Sequence, residues 1–187
     1  MTYKEVRRLD AGSWYSDEYK GEKVPGLREV LELAQGKIKL NIELKPADNG
    51  EELARKTVAL IEKYNMENDC VITSFSSSAL SAAKSCDENI RVGYILSAAY
   101  GDYYDMKDID FFSVNAAFLS KRTIDAIHNS GKQVYAWTVN NKDSIKNLTN
   151  KGVDGVITDN PVLARETIYS RDTSETIINM IRYVFNQ

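Results

Sequence analysis

Cysteine, histidine and proline are scarce in this sequence of 187 residues, which has two, one and three of them. The two cysteines, Cys70 and Cys86, form no CxxC pattern and have no ligand set nearby, so we expect reduced packing residues. His128 lies near the end of a predicted surface helix, and we expect no carboxylate or second histidine to be placed to orient it as a base. The sequence also lacks a Gly-rich phosphate loop and a serine nucleophile elbow, which excludes most nucleotide-binding proteins and serine hydrolases.

Long apolar runs and basic runs are missing as well. No window approaches the ~18 uninterrupted apolar residues of a membrane helix, and the first residues contain no apolar signal core. We therefore expect a soluble chain that is cytoplasmic, or that faces the cell surface if it belongs to a membrane-anchored parent. The net charge of -3 and the absence of Lys/Arg clusters argue against nucleic acid as a partner. A small-molecule partner is the expectation that remains.

Six short runs rich in Val, Ile, Leu and aromatic residues predict β-strands. They are Lys37–Leu44, Cys70–Ser74, Arg91–Leu96, Ile109–Val114, Lys132–Thr138 and Asp154–Thr158. Helical patterns lie at Leu27–Gln35, Glu51–Tyr64, Ser77–Ser85, Lys121–Asn129, Lys142–Asn150 and Pro161–Tyr169, and the pattern over Ser97–Asp108 is weaker. Strands that alternate with helices predict a parallel sheet with right-handed crossovers, which leaves a barrel or a doubly wound sheet.

The first predicted strand separates apolar from polar side chains. Strand alternation places Leu40, Ile42 and Leu44 on one face and Asn41, Glu43 and Lys45 on the other. A doubly wound sheet would bury both faces under helices, at a large cost for two charges that are not well paired. A barrel interior opens instead at the carboxyl ends of its strands, where active sites form. The pattern favours a barrel with Glu43 and Lys45 as site residues; the alternative is a structural ion pair inside the barrel.

Two later segments are candidates for ligand contacts. Trp137 ends the fifth predicted strand and suits an apolar ligand wall and a core position equally well. The sixth strand leads through Asp159 and Asn160 to a helix that begins at Pro161, where free N–H groups are able to meet a phosphate. Helix capping is the simpler interpretation of this Asp-Asn-Pro order.

Taken together, six segments resemble the glycerophosphodiester phosphodiesterase family. The segments are Leu9–Tyr15, Val24–Leu31, Leu40–Lys45, Val71–Phe75, Ala136–Asn140 and Gly152–Pro161, in an order and spacing that cover nearly the whole chain. The resemblance implies a (β/α)₈ (TIM) barrel that hydrolyses glycerophosphodiesters to glycerol phosphate and an alcohol in lipid metabolism. It also implies two histidines for acid and base chemistry, and a divalent cation, Mg²⁺ or Ca²⁺, held by carboxylates.

The resemblance assigns roles to four residues of this sequence. Glu43 matches the family's third metal carboxylate, and Lys45 matches the lysine that steadies the phosphate charge, so both are predicted catalytic residues. Phe75 and Trp137 match aromatic residues at the mouth of the pocket, where they are predicted to bind substrate.

Departures from the family pattern lie at its beginning. The family's first unit brings a His-Arg-Gly strand end and its second brings a Glu-x-Asp pair followed by His-Asp, and this sequence contains none of these. We therefore expect an α/β fold that is a partial TIM barrel, with about six parallel strands each followed by a helix. The expected single domain has a leading segment and short helix over 1–36, six strand–helix units over 37–170 and a C-terminal helix over 171–187.

The same departures bear on activity and partners. One carboxylate falls far short of the ~6 oxygen ligands of calcium or magnesium, so we expect neither metal binding nor turnover from this chain alone. The alternative function is a non-catalytic barrel remnant that binds a phosphodiester or a partner. Six strands do not close a barrel of eight, so we expect dimers formed through open sheet edges. The tail resembles that of longer family members, which suggests a membrane-anchored N-terminal region in a longer parent.

Overall fold

The computed structural model describes residues 1–98 and 103–169. Within them, one sheet contains six parallel strands whose spatial order follows the chain. The strands are β1 (Leu40–Leu44), β2 (Cys70–Ser74), β3 (Arg91–Leu96), β4 (Phe111–Asn115), β5 (Gln133–Trp137) and β6 (Gly155–Val156). Each strand pairs in parallel with the next. Successive neighbours of this kind curl the sheet into an incomplete barrel, which confirms the expected fold class.

Helices cover the outer face of the sheet. The chain begins with α1 (Tyr3–Val6), which buries none of its residues. The covering helices are α2 (Leu27–Ala34), α3 (Gly50–Lys63), α4 (Ser77–Cys86), α5 (Lys121–Asn129), α6 (Lys142–Lys151) and α7 over residues 161–169. Side-chain caps begin several of them, as when Asn49 Oδ1 accepts the Glu52 N–H at 3.0 Å. At the carboxyl end of α6, Gly152 has a φ of 94°, the left-handed conformation that glycine adopts without strain.

The connection from β3 to β4 is described up to residue 98 and from residue 103. Between the two strands, these described residues contain one 3₁₀ turn, Tyr103–Asp105. The Tyr103 ring packs edge-on against Phe112 at 5.3 Å between centroids, so an aromatic side chain covers the sheet there. The helix expected after β3 falls partly on residues outside the described ones, where the sequence pattern was weakest. The predicted C-terminal helix over 171–187 lies outside the described residues.

Alternate residues of β4 show how the strands divide two environments. Phe112 and Val114 are fully buried in the core beneath the helices, and burial of one such side chain contributes ~1.5–3 kcal/mol. Phe111 points into the barrel instead, where its ring lies 4.7 Å from that of Tyr135. Arg91 stacks over Phe111 at 5.6 Å. These three side chains close the amino-terminal end of the barrel, so the interior is open at the carboxyl ends of the strands.

The two cysteines lie in different environments, and both are free. Cys70 is buried at the start of β2, and burial raises the pKa of its thiol to about 11, assisted by the nearby carboxylates of Asp69 and Glu67. Cys86 is exposed, because α4 ends at this residue. The predicted packing role is therefore correct for Cys70 and wrong for Cys86.

The strand order ends at β1 on one side and β6 on the other, so each of these strands has one neighbour among the described residues. The Leu40 N–H donates to the carbonyl of Asp69 at 2.7 Å, towards β2. Because successive residues of a parallel strand bond to opposite sides, the N–H groups of Asn41 and Glu43 face the open edge. In residues 1–98 and 103–169, no helix is long and apolar enough to cross a membrane.

Candidate active site

A cavity of about 510 Å³ opens at the carboxyl ends of the strands. It is lined by Asn41, Glu43, Lys45, Thr73, Phe75, Ile95, Ser113, Trp137, Thr138 and Ile157. The four predicted site residues, Glu43, Lys45, Phe75 and Trp137, are all among them. The structure therefore brings together side chains that are up to 94 residues apart in the sequence.

Strand alternation explains how β1 supplies the polar rim of this cavity. Leu44 is buried against the helices, whereas Glu43 and Lys45 point to the barrel interior. The parallel register sets Glu43 opposite Thr73 of β2. The Ser74 hydroxyl donates to the Leu44 carbonyl at 2.8 Å, which ties the ends of β1 and β2 together.

Glu43 and Lys45 form an ion pair at the mouth, with 3.5 Å between Oε2 and Nζ. Their side chains are 35% and 76% exposed, so water screens the pair and it contributes at most ~1 kcal/mol to stability. The ion pair that the sequence left open as the alternative is thus formed, at a mouth where solvent reaches both groups. Lys45 remains accessible to an anion that enters the cavity.

Two aromatic side chains form one wall of the cavity. The rings of Phe75 and Trp137 meet edge-on with 6.4 Å between centroids. The Trp137 indole N–H donates to the Ser113 carbonyl at 2.9 Å, which fixes the ring. Phe75 is 48% exposed, so its face is open to a ligand. Trp137 is half-buried and lines the cavity, so its contact with a ligand stays a prediction.

The polar floor of the cavity was not predicted from the sequence. The Thr73 hydroxyl donates to Asn41 Oδ1 at 2.9 Å, and Ser113 lies beside the cavity at 2% exposure. Asn41 shares the polar face of β1 with Glu43 and Lys45, a signal that would have identified it. Ser113 sits in an apolar strand, and nothing local in the sequence marks it.

The described residues do not fit a complete divalent-cation site. No group of three or more His, Cys, Asp and Glu side chains in residues 1–98 and 103–169 is placed to hold a metal ion. Glu43 is the one carboxylate among the described residues that line the cavity, and it is paired with Lys45. Calcium and magnesium take ~6 or more oxygen ligands. This donor set therefore falls short of a metal centre.

His128 is part of a structural contact far from the mouth. Its Nε2 lies 2.9 Å from Asp154 Oδ2, and the same oxygen accepts the Val134 N–H at 2.8 Å. A carboxylate does orient His128, contrary to the expectation, because the fold joins residues that are 26 positions apart. Val134 is near the start of β5, at the end of the barrel opposite the cavity, so His128 has no place in the site.

Asp159 and Asn160 form the loop that starts α7. Asn160 Oδ1 accepts the Leu163 N–H at 3.1 Å, which confirms the capping interpretation. Asp159 Oδ2 accepts a hydrogen bond from the Asn140 amide at 2.7 Å. A carboxylate thus stands beside this helix start, and its charge disfavours a phosphate there.

Comparison with known proteins places these observations in a family. The model of the "Glycerophosphoryl diester phosphodiesterase family" matches residues 1–163. A glycerophosphodiester phosphodiesterase of Caldanaerobacter subterraneus subsp. tengcongensis is 28% identical over 192 residues, covering 97% of this chain and 72% of that protein. The solved structure of an Oleispira antarctica phosphodiesterase with the product sn-glycerol-3-phosphate is 29% identical, with a TM-score of 0.77 over 90% of this chain and 70% of that one. A solved glycerophosphodiester phosphodiesterase of Parabacteroides distasonis, at 22% identity and a TM-score of 0.79, has the same fold.

Proposed function

The chain belongs to the glycerophosphoryl diester phosphodiesterase family, and on this premise we propose that its mouth cavity binds the glycerol phosphate part of a glycerophosphodiester. The observation that supports this most directly is the meeting of an accessible ammonium group, on Lys45, with the aromatic wall of Phe75 and Trp137 in one cavity. An anion and a short carbon chain are the two parts of glycerol phosphate, and the cavity offers a contact for each.

The proposed roles follow from the chemistry of each side chain. Lys45 contacts the phosphate oxygens as a charged hydrogen-bond donor, and Glu43 orients its ammonium group. Phe75 and Trp137 pack against carbon atoms of the ligand and exclude water from one side of it. In a site completed by further carboxylates, Glu43 would also be a ligand for Mg²⁺ or Ca²⁺, which would polarise the phosphodiester.

Hydrolysis needs groups that the described residues do not place at the cavity. The chain has one histidine, and it lies at the opposite end of the barrel. General acid and base catalysis needs groups within hydrogen-bond reach of the reacting atoms. We therefore propose that these 187 residues bind the ligand without hydrolysing it, and that turnover requires acid, base and metal-binding groups from outside them. If no such groups are supplied, the domain only binds its ligand, which is the alternative function of a non-catalytic binding module.

Calorimetric titration with sn-glycerol-3-phosphate tests the binding site. Hydrogen bonds to charged groups are worth about 1.5–3 kcal/mol, so Lys45→Ala should weaken binding by about tenfold or more. The matched control is Lys63→Ala, at an exposed lysine on the last turn of α3, which should bind like the wild type. Equal affinities of the wild type and Lys45→Ala would contradict the assigned role.

An assay of choline release from glycerophosphocholine, with Mg²⁺ or Ca²⁺, tests the other half of the proposal. The expected rate for the purified 187 residues equals the buffer rate, because acid and base groups are missing from the mouth. Metal-dependent release above that rate, unchanged in His128→Ala, would show that the cavity hydrolyses the diester by groups other than those named here.

The open edges of β1 and β6 support a second proposal, that two copies of the chain associate through them. Unpaired N–H and C=O groups on an edge strand are a template for another strand. Proline has no N–H to donate, and the Asn41 N–H faces the open edge. Light scattering should therefore find dimers for the wild type and for Asn41→Ala, and monomers for Asn41→Pro. A monomeric wild type would contradict this association.

A further inference from the structure

The floor of the cavity contains hydrogen-bonding groups that the roles of Lys45, Glu43 and the aromatic wall leave unused. Ser113 lies on β4 between Phe112 and Val114, which both face the helices. Its side chain therefore points to the interior, where it lines the cavity at 2% exposure. A hydroxyl in this position is nearly removed from bulk water but open to whatever occupies the cavity.

The Ser113 hydroxyl has no hydrogen-bond partner in residues 1–98 and 103–169. The Ser113 carbonyl is engaged, since it accepts the Trp137 indole N–H at 2.9 Å. Among the described residues, Tyr103 Oη is the one buried side-chain polar atom without a partner, so the Ser113 oxygen is not sealed from the cavity. Polar groups in such positions bond to the protein or to an ordered molecule, and for this hydroxyl the partner comes from the cavity.

Asn41 approaches the same cavity from the other side of the curled sheet, three strands away. Its Oδ1 accepts the Thr73 hydroxyl at 2.9 Å, which fixes the amide plane and turns the amino group away from Thr73. Asn41 is exposed, and neither of its two amide N–H donors has a partner among the described residues, so both are open to water or to a ligand in the cavity. Neither Asn41 nor Ser113 is charged, in contrast to the rim.

We propose that Ser113 and Asn41 form a subsite for the free hydroxyl groups of the glycerol moiety. This inference rests on the proposed function and adds the orientation of the ligand, with phosphate at the Lys45 rim and hydroxyls on the floor. A serine hydroxyl both donates and accepts, and an amide amino group donates, so together they match hydroxyls, which also do both. The floor has no positive charge to offset the free-energy cost of desolvating a phosphate, so the phosphate is not expected there.

The subsite selects between ligands of nearly equal size. A site built to hydrogen-bond a hydroxyl discriminates strongly against an analogue without it, because its buried groups are left unpaired. n-Propyl phosphate has the carbon chain and phosphate of glycerol phosphate without its two hydroxyls. It keeps the contacts to Lys45 and to the aromatic wall, and it loses the contacts to Ser113 and Asn41.

The test is calorimetric titration of the wild type and of Ser113→Ala with sn-glycerol-3-phosphate and with n-propyl phosphate. The wild type should bind glycerol phosphate more tightly by about tenfold or more. In Ser113→Ala, the affinity for glycerol phosphate should fall by about fivefold and that for propyl phosphate should not change. Asn41→Ala is a second, independent variant with the same expected pattern. Ser85→Ala, at an exposed serine of α4, is the control for both.

The two ligands separate failure of the subsite from failure of the proposed function. Equal wild-type affinities for them, or equal losses for both in Ser113→Ala, would overturn the subsite and leave the phosphate contact of Lys45 in place. If the wild type binds neither ligand, the proposed function and the subsite are both wrong. Thermal unfolding of each variant identifies any loss of affinity that comes from a loss of folding.

Discussion

Gly93 makes room for the aromatic closure at the amino-terminal end of the barrel. A Cβ atom at this position would lie 2.1 Å from Cε2 of Phe111, closer than any real contact. Phe111 is fully buried between Arg91 and Tyr135, so its ring has little freedom to move aside. The closure of this end of the barrel therefore requires glycine at position 93, where any side chain would meet the Phe111 ring.

We predict that Gly93→Ala destabilises the protein by ~1–3 kcal/mol, the usual cost of inserting a methyl group into a packed interior. Urea unfolding followed by circular dichroism measures this loss. Phe111→Leu in the same chain should restore part of it, because the smaller side chain leaves space for the new Cβ. Strictly additive losses in the double variant would show that the two residues are not in steric contact.

Residues that line the cavity were predictable where the sequence has a local period or resembles the family. Glu43 and Lys45 follow from the alternation of β1, and Phe75 and Trp137 follow from the family resemblance. Ser113 does not follow, because a serine in an apolar strand looks the same whether it faces the cavity or the helices. The contact of His128 with Asp154 joins two elements, and no local pattern reveals it.

At the scale of elements, the loop over residues 10–21 shows how one carboxylate shapes a segment without regular structure. Asp10 accepts hydrogen bonds from the N–H groups of Gly12, Ser13 and Gly21, at 2.8–2.9 Å, and from the Ser13 hydroxyl. These donors, the Ser13 N–H foremost, hold the pKa of Asp10 well below its usual range. The ionised carboxylate is thus the form that the folded loop binds.

We predict that this loop loosens in acid. Because the folded pKa is lower than the unfolded one, the stabilisation is complete above the ordinary aspartate value of 3.8 and is lost as pH falls through the folded value. The Trp14 indole N–H donates to the Ala11 carbonyl at 2.8 Å, so its NMR resonance reports on the loop. Asp10→Asn should shift this resonance at neutral pH, and Asp17→Asn, at an exposed neighbour, should not. A loop resonance unaffected by Asp10→Asn would contradict the role of the carboxylate.

The elements themselves were largely predictable. The periods of the apolar residues predicted all six strands within a few residues. They also predicted the helices that end one or two residues before Gly36, Gly131 and Gly152, each of which has a positive φ. The connection after β3 was not predictable in the same way. In this connection the ring of Tyr103 packs on Phe112. Such a contact depends on the tertiary fold and leaves no periodic pattern of apolar residues in the sequence.

At the scale of the whole molecule, six consecutive parallel strands form a mouth that is lined by residues in or next to each of them. Among residues 1–98 and 103–169, the two outer strands have one neighbour each. The Oleispira antarctica structure is matched over 70% of its length, which agrees with a partial barrel. The rim charge comes from the end of β1, the aromatic wall from the ends of β2 and β5, and the neutral floor from β1 and β4. The curl of the sheet brings these side chains together. Fold class was predictable from the alternation of elements, whereas the depth of each side chain in the cavity was not.

The central claim is that the mouth cavity holds glycerol phosphate, and the two indole N–H groups of the protein test it within one spectrum. The sequence has two tryptophans: Trp137 forms the cavity wall, and Trp14, 82% exposed in the 10–21 loop, is an internal control. In ¹⁵N-labelled protein titrated with sn-glycerol-3-phosphate, we predict that the Trp137 indole resonance shifts to saturation while that of Trp14 stays in place. A Trp137 resonance that does not move at millimolar ligand would contradict the account.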